Sequence, residues 1–321
     1  MYYWTNSPPL RHVGLVDVET SITQVKEYMQ TLHKVFRLLR PSQQLKTGAV
    51  VLGALASGNV DSVDAASRVA LLSLLWILLS SSVYIFNDIS DLESDRLHLT
   101  KARRPLASGQ VSLGFAYRTL TVLLLINLLA FPLMGSGAAF CALIYLLLNI
   151  AYSTKLKSFA VIDIMIVSSG FVLRGLSGVL IVDATPSLWF ILLSLFGSLL
   201  LVSGKRLAQH NENVNSISNS LIKISKYSKS YLQQLQTISS SGLVISYVMM
   251  TQEKTITSEI QKVILELTII PFISSILYIN YYQDSQNNED VTELLLSKRP
   301  LLYSGALWLV LFSLTLVNWS N

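Results

Sequence analysis

Apolar residues in this chain fall into long blocks separated by polar links, with no sustained alternation. A run of about twenty apolar residues is what a helix needs to cross the roughly 30 Å hydrocarbon layer of a bilayer. Such blocks run Ala65–Phe86, Val111–Met134, Ser136–Tyr152, Phe159–Val182, Ser187–Val202, Leu232–Met250, Ile264–Tyr282 and Leu301–Val317. One more, Pro41–Ala56, is short and carries Lys46, which makes it a tilted or partly interfacial span. The pattern predicts an all-α polytopic membrane protein, a bundle of about nine transmembrane helices. Residues 1–39 are polar and mixed, contain Pro8 and Pro9, and end in Val35, Phe36, Leu38 and Leu39. They read as an amino-terminal cytoplasmic extension, poorly ordered at its start, whose amphipathic end lies on the membrane surface. No loop is long enough for a second domain, so residues 40–321 form one transmembrane unit. The loop Lys205–Ser230 is polar and expected to hold a short helix around Ile217–Tyr227.

Composition agrees. The 321 residues are 51% hydrophobic and 13% charged, and mean hydropathy is +0.50. With the amino terminus inside, all but four of the 24 Lys and Arg fall on the inner side. Arg68, Lys254 and Lys262 fall outside, and Arg174 lies within a span. That asymmetry sets the orientation under the positive-inside rule, so the net charge of +5 reports loop bias and not nucleic-acid binding. The single cysteine, Cys141, sits in an apolar block and forms no internal disulfide. No cleavable signal pattern is visible, and the first internal spans are expected to direct insertion.

The chemistry concentrates in F-N-D-I-S-D-L-E-S-D-R-L-H-L-T-K-A-R-R-P-L-A-S-G, Phe86 to Gly109. If the helix continues past its apolar block, Asp88, Asp91 and Asp95 share one face, with Asn87 beside them. Carboxylates at that density repel one another unless a cation faces them, and hard oxygen ligands suit magnesium. A solvated acidic helix end is the ordinary alternative. Here Arg96, Lys101, Arg103 and Arg104 follow at once, and acids beside bidentate arginines suit a metal diphosphate. Arg103 and Arg104 also fit a merely topogenic loop.

Three more groups converge on the same side. Asp163 lies about one turn into its helix, where Tyr152, Lys155 and Lys157 are near in sequence, although a plain helix-start acid reads the same way. Arg174 follows three turns later, roughly 16 Å along the axis, on a stripe with Gly170, Ser177 and Gly178. Its alternatives are a functional cation and a structural arginine held by backbone carbonyls. Ser203–Arg206 ends another span, where Lys205 and Arg206 are either interfacial anchors or, with Lys46, part of an anion site. There is no P-loop and no His or Cys metal pattern, and His98 and His210 stand alone.

With these residues assembled, the chain resembles the UbiA superfamily of intramembrane prenyltransferases, whose hallmark N-D-x-x-D-x-x-x-D is complete as Asn87, Asp88, Asp91 and Asp95. It is most similar to the polyprenyl-phosphate (decaprenyl-phosphate) phosphoribosyltransferase branch. That similarity rests on R-P-S-Q-Q-L-K from Arg40, V-S-S-G-F-V-L-R-G-L-S-G from Val167, F-G-S-L-L-L-V-S-G-K-R from Phe196 and Y-S-K-S-Y-L from Tyr227. Gln44 stands where the branch has Trp and Thr47 where it has Asn. The prenyltransferases' second motif, D-x-x-x-D, is reduced to Asp163 with Val167 in place of the second acid.

The resemblance implies magnesium-dependent transfer of 5-phosphoribosyl from 5-phosphoribosyl 1-diphosphate to a polyprenyl phosphate of decaprenyl type, releasing diphosphate. It implies a UbiA-like bundle around a cytoplasm-facing cavity in a bacterial-type inner membrane, with the site facing the cytoplasm and the product feeding cell-envelope synthesis. Asn87, Asp88, Asp91 and Asp95 would hold magnesium, and Lys101 and Arg104 would neutralise the leaving group. Lys46 and Arg174 would position the lipid phosphate, Lys205 and Arg206 would hold the 5-phosphate, and Tyr152, Lys157 and Asp163 would complete the substrate site. Two alternatives stand: a prenyltransferase alkylating an aromatic or haem-like acceptor, and a cation-coupled transporter. A homo-oligomer is left open.

Overall fold

The computed structural model describes residues 29–97, 101–215, 226–253, 258–285 and 291–316, so residues 1–28 of the expected extension lie outside the described residues. So do His98 and most of the expected helix Ile217–Tyr227. Helix α1 covers 29–38 and leads through the left-handed Arg40 (φ 50°) into a 3-10 segment, Pro41–Thr47. There follow α2 (Gly48–Ser57), α3 (Val63–Ser90), α4 (Leu92–Arg96), α5 (Leu113–Ala130), α6 (Ser136–Thr154) and α7 (Ile162–Ile181). The second half has α8 (Leu188–Asn215), α9 (Lys229–Glu253), α10 (Glu259–Leu267), α11 (Ile269–Ser285), α12 (Val291–Ser297) and α13 (Arg299–Leu316). No strand occurs among the described residues.

Helix starts follow local chemistry. Ser62 and Ser112 cap α3 and α5, each hydroxyl accepting from the amide three residues on, at 3.1 and 3.2 Å. Gly135, at φ 70°, makes the tight link into α6. α3 has 28 residues, or about 42 Å, longer than the apolar block read from the sequence. The surplus turn carries Asn87 and Asp88 out of the apolar zone.

Six described stretches are long and apolar enough to cross a membrane, and α12 with α13, bent by 84° at their junction, makes a seventh. The bundle reaches nine when α9 and the short Pro41–Ser57 segment are counted. α9 has the length, 25 residues, but it is diluted by polar groups. Those groups are satisfied between helices: Gln236 donates to Gln283, and the Asn280 amide donates to Ser240 at 3.1 Å. Outward residues such as Leu125, Leu128, Leu129 and Phe140 are exposed, as a lipid-facing surface requires. The chain is an integral membrane protein.

α7 is the central post, packed on α2, α3, α6 and α8. Its contact with α2 depends on glycine: a β-carbon at Gly178 would lie 1.9 Å from the Val50 carbonyl oxygen, and one at Gly53 would lie 2.1 Å from that of Gly175. One core gathers Trp76, Leu72, Ala142 and Tyr145 between α3 and α6, and another joins Leu38 to Ile85, Leu106, Val111 and Leu120. Gly178→Leu is therefore expected to force α2 from α7 and destabilise the protein by roughly 1–3 kcal/mol, read as a lower thermal midpoint in detergent. Gly48→Leu, where a β-carbon meets nothing within 4 Å, serves as the near-neutral control.

Candidate active site

α3 ends at Ser90, and Asp91 is its cap, with φ −101° and ψ 5°. The break resets the register before α4, so the continuous three-acid face expected from spacing does not form. Asp88 and Asp95 are each 2% exposed and turn to the same point: Arg104 Nη1 donates to Asp88 Oδ1 at 3.1 Å and to Asp95 Oδ2 at 2.5 Å. Arg40 Nη2 donates to the same Asp88 Oδ1, and Lys101 stands 3.9 Å from Asp95. Asp91 is turned away and pairs with Lys157. Asn87 accepts from the Ser153 hydroxyl, which ties α3 to the end of α6.

These pairs are what allow acids at a membrane boundary. An unpaired buried carboxylate is unstable there, whereas one shared among guanidinium groups is held as an anion. Burial pushes the Arg40 guanidinium below the ordinary arginine value while Asp88 pulls it back up. Its carbon also lies 5.6 Å from the Tyr84 ring centre.

Asp163, 3% exposed, organises a second cluster. Arg206 Nη2 donates to both its oxygens at 3.0 Å, the Tyr152 hydroxyl donates at 2.9 Å, and the Tyr227 hydroxyl donates at 3.3 Å. Lys226 Nζ lies 3.5 Å from Asp163 and donates to the carbonyls of Lys157 and Phe159 at 3.1 and 2.8 Å. Burial and then the Asp163 charge push the Tyr227 hydroxyl above its ordinary value, so it remains a neutral donor. Val161, just before α7, is held at φ 67°, which is strained for a β-branched residue, and its amide donates to the Tyr227 hydroxyl at 3.3 Å. Val167 faces an apolar cluster with Ile164, Leu199 and Leu232.

Of the other expected residues, Arg174 has its hydrogen-bond partners away from these carboxylates. Arg174 is 3% exposed and donates to Ser80, Tyr145 and the Gly170 carbonyl at 2.7, 3.0 and 2.8 Å. It is flanked by the Trp76 and Tyr145 rings, 5.2 and 4.6 Å from their centres. Lys46 lies 5.9 Å from the Phe171 ring centre. Phe171 also lines a cavity of about 430 Å³, walled by Leu52, Phe190, Leu243, Phe272 and Trp308. Lys205 is exposed. Arg40, Ser153, Lys226 and Tyr227 belong to the clusters although spacing alone did not single them out. Arg40 and Tyr227 do begin two of the segments that carried the family resemblance.

No three His, Cys, Asp or Glu side chains gather as a ready metal nest among the described residues. Asp88 and Asp95 nonetheless meet around one cationic nitrogen. Two carboxylates with the remaining positions left to water and phosphate fit magnesium, which is held in that way in phosphate-transfer sites.

Residues 47–205 match the model of the UbiA prenyltransferase family. Decaprenyl-phosphate phosphoribosyltransferase of Mycolicibacterium smegmatis is 34% identical over 217 residues, which covers 66% of this chain and 68% of the relative. The protein of that name from Corynebacterium glutamicum is 30% identical over 281 residues, 85% of this chain and 84% of the relative. Among solved structures, a UbiA homolog from Archaeoglobus fulgidus bound to GPP and Mg2+ superposes with a TM-score of 0.65 at 17% identity, covering 88% of this chain and 98% of that one. An apo UbiA homolog from Aeropyrum pernix K1 gives 0.58 at 15% identity, covering 88% and 96%. At those identities the solved structures speak to the fold.

The Asp163–Arg206 pair is expected to be coupled. A double-mutant cycle with Asp163→Ala and Arg206→Ala, followed by thermal unfolding, should give an interaction of about 1–3 kcal/mol.

Proposed function

Because this chain belongs to the UbiA prenyltransferase family, we propose that it is the family's phosphoribosyl-transferring kind of enzyme. It transfers 5-phosphoribosyl from 5-phosphoribosyl 1-diphosphate to a polyprenyl phosphate of decaprenyl type and releases diphosphate. The observation that carries this reading is the unlike character of the two polar centres. The first gathers Asp88 and Asp95 on one cationic point, as a metal diphosphate needs. The second sets one acid, Asp163, among Arg206, Lys226 and two tyrosine hydroxyls, with apolar Val167 where a further acid would serve a second metal. A cation-rich centre takes a phosphate directly. This favours a donor with a diphosphate at one end and a monophosphate at the other over a prenyl diphosphate.

In this mechanism Asp88 and Asp95 would hold magnesium, which supplies charge neutralisation on the leaving diphosphate when bound, and Asp91 and Asn87 would join only by leaving Lys157 and Ser153. Arg104 and Lys101 take the remaining diphosphate oxygens as they leave their carboxylate partners. The bond from C1 to the diphosphate oxygen breaks, and its electron pair leaves with the diphosphate. An oxygen of the lipid phosphate forms the new bond to C1 as the ring carbon develops oxocarbenium character. That phosphate is already an anion, so no strong general base is required. Lys46 positions it, with the first isoprenoid units in the apolar cavity that shares Phe171. Arg206, Lys205, Lys226, Tyr152 and Lys157 hold the 5-phosphate, and Asp163 keeps Arg206 aligned. Arg174 is assigned to holding α3, α6 and α7 together, since neutral groups of those helices already enclose it. The bias of cations to the side bearing the acids supports a reaction at the cytoplasmic face, and the bacterial relatives favour an inner membrane.

Purified protein given labelled 5-phosphoribosyl 1-diphosphate, decaprenyl phosphate and magnesium should produce a labelled lipid. Labelled prenyl diphosphate with an aromatic acceptor should produce none, and the reverse result would refute the assignment. Asp88→Asn and Asp95→Asn are each expected to lower kcat by at least about a hundredfold. Chelation with EDTA should stop turnover, and added magnesium should restore it.

A further inference from the structure

Helix α1 has three distinct sides. Val35 and Leu38 face the protein, and Leu38, 1% exposed, packs with Ile85, Leu106, Val111 and Leu120. Met29, Leu32 and Phe36 form a neighbouring stripe at helical spacing that is 59, 46 and 59% exposed. His33, Lys34 and Arg37, all exposed, occupy the remaining arc. At 100° per residue the stripe lies between the packed side and the cationic side.

The depth of the helix is set by what Leu38 touches. Ile85 is in the penultimate turn of α3, and Val111 and Ala116 flank the start of α5, so α1 crosses the ends of two membrane spans. Arg37 also donates to Gln110, in the link just before α5. A helix at that level presents an apolar stripe to the boundary between acyl chains and headgroups, and its cations to lipid phosphates. Water would leave three large apolar side chains uncovered, next to a lipid-facing surface that continues along α5 through Leu113 and Tyr117.

We propose that α1 is an interfacial arm seated in an anionic leaflet, with Met29, Leu32 and Phe36 in the headgroup–acyl boundary and Lys34 and Arg37 on anionic lipid headgroups. It rests on the orientation proposed above and is independent of the reaction. The seated arm runs directly into Arg40, which lies on Asp88.

The test uses full-length protein with Cys141→Ala and Phe36→Cys, labelled with a nitroxide and reconstituted into bilayers. Accessibility to oxygen, which concentrates in lipid, is compared with accessibility to a nickel chelate, which stays in water. In phosphatidylglycerol-containing bilayers the oxygen-to-nickel ratio should be high. It should fall in pure phosphatidylcholine, and with Lys34→Gln and Arg37→Gln the seated fraction should fall by roughly fivefold per cation removed. Equal ratios in both bilayers would overturn the role of anionic lipid. Free access of nickel in both would show a solvent face, and shielding from both reagents would show that a second copy or another part of the chain covers the stripe. Either result would overturn the proposal, and neither depends on catalytic activity.

Discussion

Neutralisation of Asp88 and Asp95 by shared guanidinium groups is the interaction on which the polar end of this molecule depends. Two carboxylates almost fully removed from solvent cannot sit close together at the end of a membrane helix unless positive charge lies between them. Arg104 supplies that charge from the loop after α4, and Arg40 supplies it from the segment after α1. The acids thereby fix the paths of two otherwise unrelated connections. Under the proposed function the same cations would meet phosphate oxygens, so the device that stabilises the free protein would also prepare it for an anionic substrate.

α7 connects this end to the bundle. Its first turn bears Asp163, and its middle bears the buried Arg174, whose donors reach α3 and α6. A guanidinium enclosed by hydroxyls, a carbonyl and two aromatic faces is a demanding arrangement, and few positions of three helices satisfy it at once. Glycines at the α2–α7 contact let α2 lie close enough to wall the apolar cavity. Charge and close packing thus act on one helix, and the two polar centres are held at set positions relative to the apolar cavity.

The departures from the family pattern have local reasons. Gln44 donates to the Leu39 carbonyl and the Ser81 hydroxyl at 2.8 and 3.0 Å, pinning the 3-10 segment to α3 by hydrogen bonds where an indole would use packing. Val167 joins an apolar cluster, so the loss of an acid there is matched by its surroundings.

The order of apolar blocks and the cation bias determined the class of protein, because a bilayer imposes helix length and loop charge independently of any partner. The composition of Phe86–Gly109 likewise announced a cation-facing acid site, its acidic motif announced the family, and the R-P-x-Q and G-K-R segments narrowed the branch. Which acids converge was decided by tertiary structure. Asp91 is close to Asp88 in sequence, yet the helix break at Ser90 turns it to Lys157, while Asp95 swings back to Arg104. Lys226 and Tyr227 reach Asp163 from more than sixty positions away, and the strained Val161 that seats this acid has no signature in its own sequence. Periodicity reports which face a residue occupies on its own helix. It carries no information about where that helix stops or what another brings to meet it, and those two facts assemble the site.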